Sequence, residues 1–234
     1  MKKVIGLLFV FGAIVVNIPY AMLIANFNYP DILREPAGAV LTAFAAGGTP
    51  LIFTWLFFAL AGLPLLFGTI LLGELWSGTS KMLVRLATTF GVIGFVVQLL
   101  GLLRWVFVVP VLAQNYVAPG SSEATREATI VVFQTVNQFG GVLLGEYVGQ
   151  IFSILSMLLF SILILRNGLL KQWVGWLGFA ASAIYILAQG ELFHTVIPSF
   201  PVLDIAGLAG SVLWILWLIS LGVLLLIQKD RQTQ

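Results

Sequence analysis

The sequence predicts an all-α fold, a polytopic transmembrane helix bundle with six spans and with amphipathic helices on its outer surface. The first observation behind this prediction is composition: of 234 residues, 60% are hydrophobic and 9% are charged, and the mean hydropathy is +1.09. Soluble domains carry about 25% charged residues, so this chain has too few charges to cover itself with a water-facing surface. The second is the grouping of the apolar residues into six runs, each near the roughly 20 residues that a helix needs to cross a bilayer. Because backbone groups in lipid must be satisfied internally, each run is predicted to be a helix.

The first apolar run could be mistaken for a secretion signal. It continues through Ile24, which is longer than the apolar part of a signal peptide, and it shows no clear small-x-small cleavage site. We therefore interpret it as the first span of a single integral membrane domain, residues 1–234. The predicted spans cover residues 4–25, 50–72, 86–109, 142–165, 173–192 and 205–228.

Two of these spans contain prolines that predict kinks. Asn17 and Pro19 lie in the first span, and Pro64 lies in the second. A proline lacks the backbone N–H and interrupts the hydrogen bonds of the preceding turn, and the Asn17 side chain can satisfy a group that is freed in this way. Kinked packing helices are the favoured interpretation, and hinges for a transport cycle are the alternative.

The distribution of charge predicts the orientation. Eight of the eleven lysines and arginines fall on one side of the six-span arrangement, so this side and both termini are predicted to be cytoplasmic. Seven of the nine acids fall on the other side, which makes the outer face mildly favourable to cations. The inner charges are Lys2, Lys3, Glu74, Lys81, Arg85, Arg166, Lys171, Lys229, Asp230 and Arg231. The outer charges are Asp31, Arg34, Glu35, Arg104, Glu123, Arg126, Glu127, Glu146, Glu191 and Asp204.

Two outer connections, residues 30–48 and 121–141, are long and partly apolar, and they are predicted to form the surface helices. Ser122, followed by acids, is the expected N-cap of the second. Both connections contain Arg-Glu, then an apolar stretch, then Gly-Gly, which is explained equally well by a duplicated hairpin or by coincidence.

Small residues in the fourth span predict a close helix contact. Gly141, Gly145, Gly149 and Ser153 recur every four residues and therefore share one helix face. Small side chains let a second helix approach closely, either within the chain, which we favour, or in an oligomer. The candidate partners are Gly94 and Gly101 of the third span and Ala206, Gly207, Gly210 and Ser211 of the sixth.

Polar residues near the outer ends of three spans form the candidate site. Counted from the inner charges at about 1.5 Å per residue, Arg104, Glu146 and Glu191 all reach the outer boundary of the hydrocarbon core. A carboxamide lies beneath each of them, where polar groups usually face protein or a cavity. The predicted outer pocket consists of Gln98, Arg104, Glu146, Gln150, Gln189, Glu191 and His194. The alternative is that Glu191 and His194 only mark the point where the fifth helix leaves the lipid.

Several kinds of chemistry are disfavoured. The chain has no cysteine, which excludes disulfides and thiolate metal sites. The sequence Glu191-x-x-His194 cannot form a di-iron bundle site, because that site needs two such motifs and the chain has one histidine. A one-histidine site using Glu146 is the remaining metal alternative. We predict no metal and no cofactor, and without a basic run we predict no nucleic-acid binding.

The hairpin from Gly145 to Leu187 resembles a bacterial membrane family that is known as domain of unknown function 4386. The resemblance is carried by a glycine-containing span, by the turn Arg166-x-Gly168-x-Leu170, and by Trp176-Leu177-Gly178 at the start of the next span. It implies a six-span protein of the bacterial plasma (inner) membrane, and it implies no activity or catalytic residue.

These observations favour a membrane protein without a catalytic site that binds a lipid or a partner, as an accessory or sensor component. Membrane lipids are the predicted partners, with another membrane protein or a second copy of the chain as alternatives. A transporter of small solutes or cations that uses the outer pocket is the second hypothesis. A membrane enzyme that acts on lipid through Glu146, Glu191 and His194 is the third.

Overall fold

The structure is a computed structural model, and it describes residues 1–76, 78 and 80–228. It is 86% helical, and the described residues contain no strand, so the predicted all-α class is confirmed. Six helical segments are long and apolar enough to cross a membrane. The predicted inner charges Lys229, Asp230 and Arg231 lie outside the described residues. The helices are α1 (Lys2–Val15), α2 (Asn17–Phe27), α3 (Ala37–Ala61), α4 (Leu63–Glu74), α5 (Lys81–Phe107), α6 (Val109–Val117), α7 (Glu123–Val136), α8 (Gly149–Asn167), α9 (Gln172–Ala188), α10 (Gly190–His194) and α11 (Asp204–Ile227).

Prolines follow three of the interruptions within the spanning segments. The breaks between α1 and α2, between α3 and α4, and between α5 and α6 lie two or three residues before Pro19, Pro64 and Pro110. Each proline removes a hydrogen bond to the carbonyl four residues earlier, which interrupts the ladder at that point. The helices therefore break next to the predicted kink positions Asn17, Pro19 and Pro64.

The segments predicted as surface helices are helical and run directly into the spans that follow. Within α3, Gly48 has φ 55° and ψ −152°, which separates residues 37–47 from the apolar part that begins at 49. This conformation favours glycine because it has no Cβ. The N-cap prediction for α7 is confirmed, since the Ser122 Oγ accepts a hydrogen bond from the Thr125 N–H at 3.1 Å.

The chain divides into two compact units. Unit 1 comprises Met1–Ile14, Leu63–Phe95 and Gly149–Gln234, and unit 2 comprises Val15–Gly62 and Val96–Val148. Four spanning segments contribute residues to both units, whereas the last two described segments belong to unit 1 alone.

Unit 1 is built around α9, which packs against both α8 and α11. Phe9, Leu72, Phe160, Trp217 and Leu221 are buried in its apolar core. A hydrogen bond of 2.7 Å from the Ser156 Oγ to the Ala87 carbonyl joins α8 to α5 within this unit. Such a bond satisfies a buried hydroxyl that would otherwise destabilise the core.

Unit 2 is built around α3, which packs against α2, α6 and α7. Its core is aromatic: Phe27, Phe44, Trp55, Trp105 and Phe133 are all buried. The Trp55 and Trp105 rings are stacked, with centroids 4.7 Å apart and planes 9° apart. Aromatic side chains bury large apolar areas, and this cluster provides a rigid base for the polar groups beside it.

The small residues of the fourth span lie against α5. A Cβ on Gly101 would lie 2.6 Å from the Gly145 Cα in unit 2, and a Cβ on Gly94 would lie 2.9 Å from the Gly149 carbonyl oxygen in unit 1. Only glycine permits backbones to approach this closely. Of the candidates in the sixth span, Gly210 lies against Tyr185, and a Cβ on Gly207 would meet no atom within 4 Å.

Candidate functional site

A buried arginine lies at the centre of the polar groups of unit 2. Arg104, in the last turn of α5, is only 8% exposed. Its guanidinium donates to the Gly101 carbonyl at 2.5 Å and to the Asn137 Oδ1 at 3.1 Å. The same group lies 5.1 Å from the centroid of the adjacent Trp105 ring. A buried cation needs such partners, because an unpaired charge in a core costs several kcal/mol, on the order of 3–5.

The backbone that faces Arg104 is π-helical and leaves space for its side chain. Residues Asn137–Val148, between α7 and α8, form a π-helix, in which each N–H bonds five residues back instead of four. Asn137 begins this segment, and Gly141 follows one turn later. A Cβ on Gly141 would collide with the Arg104 guanidinium, so glycine makes room for the side chain. Isolated π-helical turns are often found at functional sites.

An ion pair connects a loop to the π-helical segment. The Arg34 Nη2 lies 3.0 Å from the Glu146 Oε2, and the two side chains are 35% and 27% exposed. Arg34 ends the 3₁₀ turn Asp31–Arg34, which lies between α2 and α3. Exposed pairs contribute about 0–1 kcal/mol, so this one positions the loop more than it stabilises the unit.

Tyr29 completes the cluster from the loop that follows α2. Its ring makes edge-to-face contacts with Tyr20 and Trp55, at centroid distances of 5.5 and 5.4 Å. Burial raises the pKa of the Tyr29 phenol, and the Glu146 carboxylate raises it further, while Arg104 and Arg34 lower it. The phenol therefore stays neutral at physiological pH and lies within electrostatic reach of the acid and of both arginines.

A cleft of about 300 Å³ opens beside this cluster in unit 2. Its size is at the lower end of ligand-binding cavities, which span roughly 300–1,000 Å³. One wall is the loop that carries Arg34, and the other is the end of α7 with the start of the π-helical segment. The cleft is lined by Leu33, Arg34, Glu35, Pro36, Ala37, Phe133, Gln134, Asn137 and Gln138.

The predicted pocket residues are divided between the units. Gln98, Arg104 and Glu146 belong to unit 2, whereas Gln150, Gln189, Glu191 and His194 belong to unit 1. A single outer pocket formed by all seven therefore stays a prediction. Among the described acids and bases, no group of three or more histidines, aspartates or glutamates is placed to hold a metal ion.

Within unit 1, the predicted carboxamides lie together. Gln189 is buried, and its Nε2 donates to the Gln150 Oε1. Glu191 and His194 are exposed on the short helix α10. The His194 Nδ1 donates to the Phe200 carbonyl at 3.2 Å, which is a contact with the loop that follows α10.

Three residues of the unit 2 cluster were not predicted as site residues: Tyr29, Arg34 and Asn137. In the sequence, Arg34 is distinguished only as an outer charge and as part of the repeated Arg-Glu pair. The useful signal was the depth of Glu146, since a carboxylate near the membrane boundary needs a cation, and Arg34 is one of the three outer basic residues.

Comparison with known families decides the affiliation of the chain. A family model described as Domain of unknown function (DUF4386) matches residues 4–222, which is most of the chain. The chain belongs to the DUF4386 family. No curated protein and no solved structure matched it. This DUF4386 member is thus a multi-pass integral membrane protein of an uncharacterised family.

The hairpin that carried the family resemblance is a tight turn between two packed helices in the DUF4386 chain. Gly168 has φ 61°, a left-handed conformation that favours glycine. Leu170, two residues later, is buried in the core of unit 1. The Asn167 side chain donates to the Leu163 carbonyl at 2.9 Å and closes the end of α8. These residues form and stabilise the turn between α8 and α9. The family resemblance in this hairpin therefore reflects the fold.

Proposed function

We propose that this protein is a lipid-binding membrane protein that acts as an accessory or sensor component of the bacterial plasma membrane. The observation that carries the proposal is the polar cleft of unit 2, which lies between the Arg34 loop and the end of α7. The cleft contains both charges and carboxamides, which suit the headgroup of an amphiphile.

Exposed apolar side chains next in sequence to the cleft residues support a lipid as its ligand. Val131 and Val132, on α7, are 61% and 46% exposed, and they directly precede the cleft residues Phe133 and Gln134. Phe139, which follows the cleft residue Gln138, is 60% exposed. A ligand with a polar head in the cleft would have an apolar surface beside it for its acyl chains.

The charge distribution supports an outward-facing position for the cleft. Arg34, Glu35 and Glu146 belong to the outer set of charges, whereas most basic residues belong to the inner set. By the positive-inside rule, the cleft faces away from the cytoplasm at the membrane boundary. Lipids of the outer leaflet would then be the ligands that reach it.

Photoaffinity labelling tests this proposal. Membranes that contain the protein are exposed to a phospholipid with a diazirine near its headgroup, irradiated, and digested for mass spectrometry. We expect labelled peptides to come from residues 33–37 and 131–139 and to decrease when unlabelled lipid is added in excess. Uniform labelling of all exposed helices, without competition, would contradict a specific lipid site.

Transport of a small solute is a second candidate, and the interrupted helices favour it. Discontinuous helices often surround substrate sites in secondary transporters. The breaks before Pro19, Pro64 and Pro110 and the non-helical Gly48 are interruptions of this kind. Uptake of labelled cations or amino acids by proteoliposomes tests it, and uptake no greater than in protein-free vesicles would count against it.

A further inference from the structure

The lining of the cleft contains one cation, one anion and three carboxamides: Arg34, Glu35, Gln134, Asn137 and Gln138. Opposite charges on the lining match a ligand that also carries opposite charges. We propose that the cleft recognises the phosphoethanolamine headgroup of a zwitterionic lipid. This inference rests on the proposed lipid-binding function and names the headgroup that the site selects.

The phosphate would be bound by Arg34. A guanidinium presents a planar fork of donors that matches the oxygens of a phosphate, and such charge-assisted bonds are among the strongest in proteins. The Arg34 Nη2 already holds a carboxylate oxygen of Glu146 at 3.0 Å, so the group is placed to bind an anion. Its side chain is 35% exposed and accessible from the cleft that it lines.

Asn137 adds a donor whose direction is set by Arg104. Because a guanidinium can only donate, the bond of 3.1 Å from the Arg104 Nη2 requires the Asn137 carboxamide to turn its oxygen inward. Its NH₂ group is then left to donate to an acceptor such as a phosphate oxygen. Arg104 is buried behind this wall residue, and it acts as a positioning residue for the site.

The ammonium group would be bound by Glu35, which follows Arg34 in the chain and lines the same cleft. A primary ammonium donates three hydrogen bonds, and a carboxylate accepts them. A phosphocholine headgroup has no N–H to donate. A phosphoglycerol headgroup has hydroxyl groups to donate but no positive charge to offset the Glu35 carboxylate. The site therefore favours phosphoethanolamine over both.

Native mass spectrometry of the detergent-solubilised protein tests the headgroup. Phosphatidylethanolamine, phosphatidylglycerol and phosphatidylcholine with the same acyl chains are titrated separately, and apparent Kd values are compared. The chain offers matched controls, because Arg126-Glu127 repeats the Arg34-Glu35 pair on α7 outside the cleft. The variants are Arg34→Gln, Glu35→Gln, Arg126→Gln and Glu127→Gln.

We expect phosphatidylethanolamine to bind the wild type most tightly. Arg34→Gln should weaken its binding by about tenfold or more, since a charge-assisted bond is lost. Glu35→Gln should remove most of the preference over phosphatidylglycerol, whereas both controls should stay within about twofold of the wild type. Arg34→Lys keeps the attraction to Glu146 and so the position of the loop, and it should still weaken phosphatidylethanolamine binding because the planar fork is lost.

The outcomes distinguish failure of the headgroup inference from failure of the proposed lipid-binding function. If phosphatidylglycerol binds as tightly as phosphatidylethanolamine and Glu35→Gln changes nothing, the headgroup inference is wrong while lipid binding stands. If no cleft variant changes the Kd of any lipid, the proposed lipid site is wrong as well. If soluble glycerophosphoethanolamine binds as tightly as the lipid, the ligand is a soluble phosphoethanolamine compound.

Discussion

One buried polar side chain in each unit is paired with a carboxamide. In unit 2, Asn137 satisfies the buried guanidinium of Arg104, and in unit 1 Gln150 accepts from the buried Gln189. Carboxamides carry donors and acceptors without a net charge, so they satisfy buried groups at a lower desolvation cost than ions. Removing one partner of such a pair costs more than replacing both, because it leaves a buried polar group unsatisfied.

The pair in unit 1 permits a double-mutant test. Gln150→Leu should lower the free energy of unfolding by about 1–3 kcal/mol, because the Gln189 Nε2 loses its closer acceptor and keeps only the Tyr185 carbonyl at 3.5 Å. The double variant Gln150→Leu/Gln189→Leu should recover part of this loss, with a coupling above about 0.5 kcal/mol. Thermal melting in detergent measures both effects, and Gln172→Leu, at an exposed position on α9, is the control. Strictly additive losses would show that the two carboxamides do not depend on each other.

Tyr29 predicts a dependence of stability on alkaline pH. Its folded pKa is raised above the unfolded value of about 10, chiefly by burial. The stabilisation is therefore complete below about pH 10, and it is lost as the pH rises further, because the unfolded chain releases a proton that the folded chain retains. Tyr29→Phe should flatten the decline of the melting temperature between about pH 9 and 11.5.

Tyr116→Phe, which removes a hydroxyl elsewhere in unit 2, is the control for this experiment. Equal slopes in the wild type and in Tyr29→Phe would contradict the assigned role of the Tyr29 phenol.

At the residue scale, the sequence located some members of the site and could not pair them. Counting residues from the inner charges gives the depth of Arg104 and Glu146 but not the direction in which each side chain points. The partner of Glu146 is Arg34, 112 residues away in a 3₁₀ turn, where helical counting does not apply. Such a contact depends on how the loop packs against the π-helical segment, which no local pattern encodes.

At the scale of the helices, prolines and glycines determine where the chain bends and where it packs. The loss of a backbone donor at a proline is a local effect, so the sequence indicates breaks near Pro19 and Pro64, but the break before Pro110 was not predicted. The sequence could not predict the π-helical segment Asn137–Val148, since glycines spaced by four residues also fit an α-helix. The π-helical backbone accommodates Arg104, whose insertion is a tertiary interaction.

Because α5 packs closely on the π-helical segment in unit 2, alanine substitutions at its glycines should lower stability to different extents. A Cβ on Gly101 would lie 2.6 Å from the Gly145 Cα, whereas a Cβ on Gly145 would lie 3.3 Å from the Gly101 Cα. Gly101→Ala should therefore destabilise more than Gly145→Ala, and overpacking of this kind costs typically about 1–3 kcal/mol.

Gly207→Ala is the matched control, because its Cβ would meet no atom within 4 Å. It should be neutral, or stabilising by up to about 1 kcal/mol through helix propensity. Melting temperatures in detergent order the three variants. Equal effects at positions 101 and 207 would show that the backbones do not approach closely in solution.

At the scale of the whole molecule, hydrophobicity made the number of spans predictable, since the described residues form six helical segments that are long and apolar enough to cross a membrane. The helices extend beyond the predicted spans, most of all at Glu123–Asn167, because a helix continues past the apolar core wherever its own hydrogen bonds permit. The division into two units was not predictable from hydropathy, since lipid-facing and core-facing apolar residues look alike in composition.

The orientation in the membrane is predicted from the whole chain, because it depends on charges in every connection between spans. The absence of cysteine allows single cysteines to be introduced at chosen positions. In intact cells, Ser122→Cys and Ser199→Cys, at exposed positions in the outer connections, should react with an impermeant maleimide. Asn167→Cys, in the turn between α8 and α9, should react only after the membrane is permeabilised. That second reaction is the control for accessibility, since the Asn167 side chain is partly buried. Labelling of Asn167→Cys from outside, with protection of Ser122→Cys, would reverse the orientation and would move the unit 2 cleft to the cytoplasmic side.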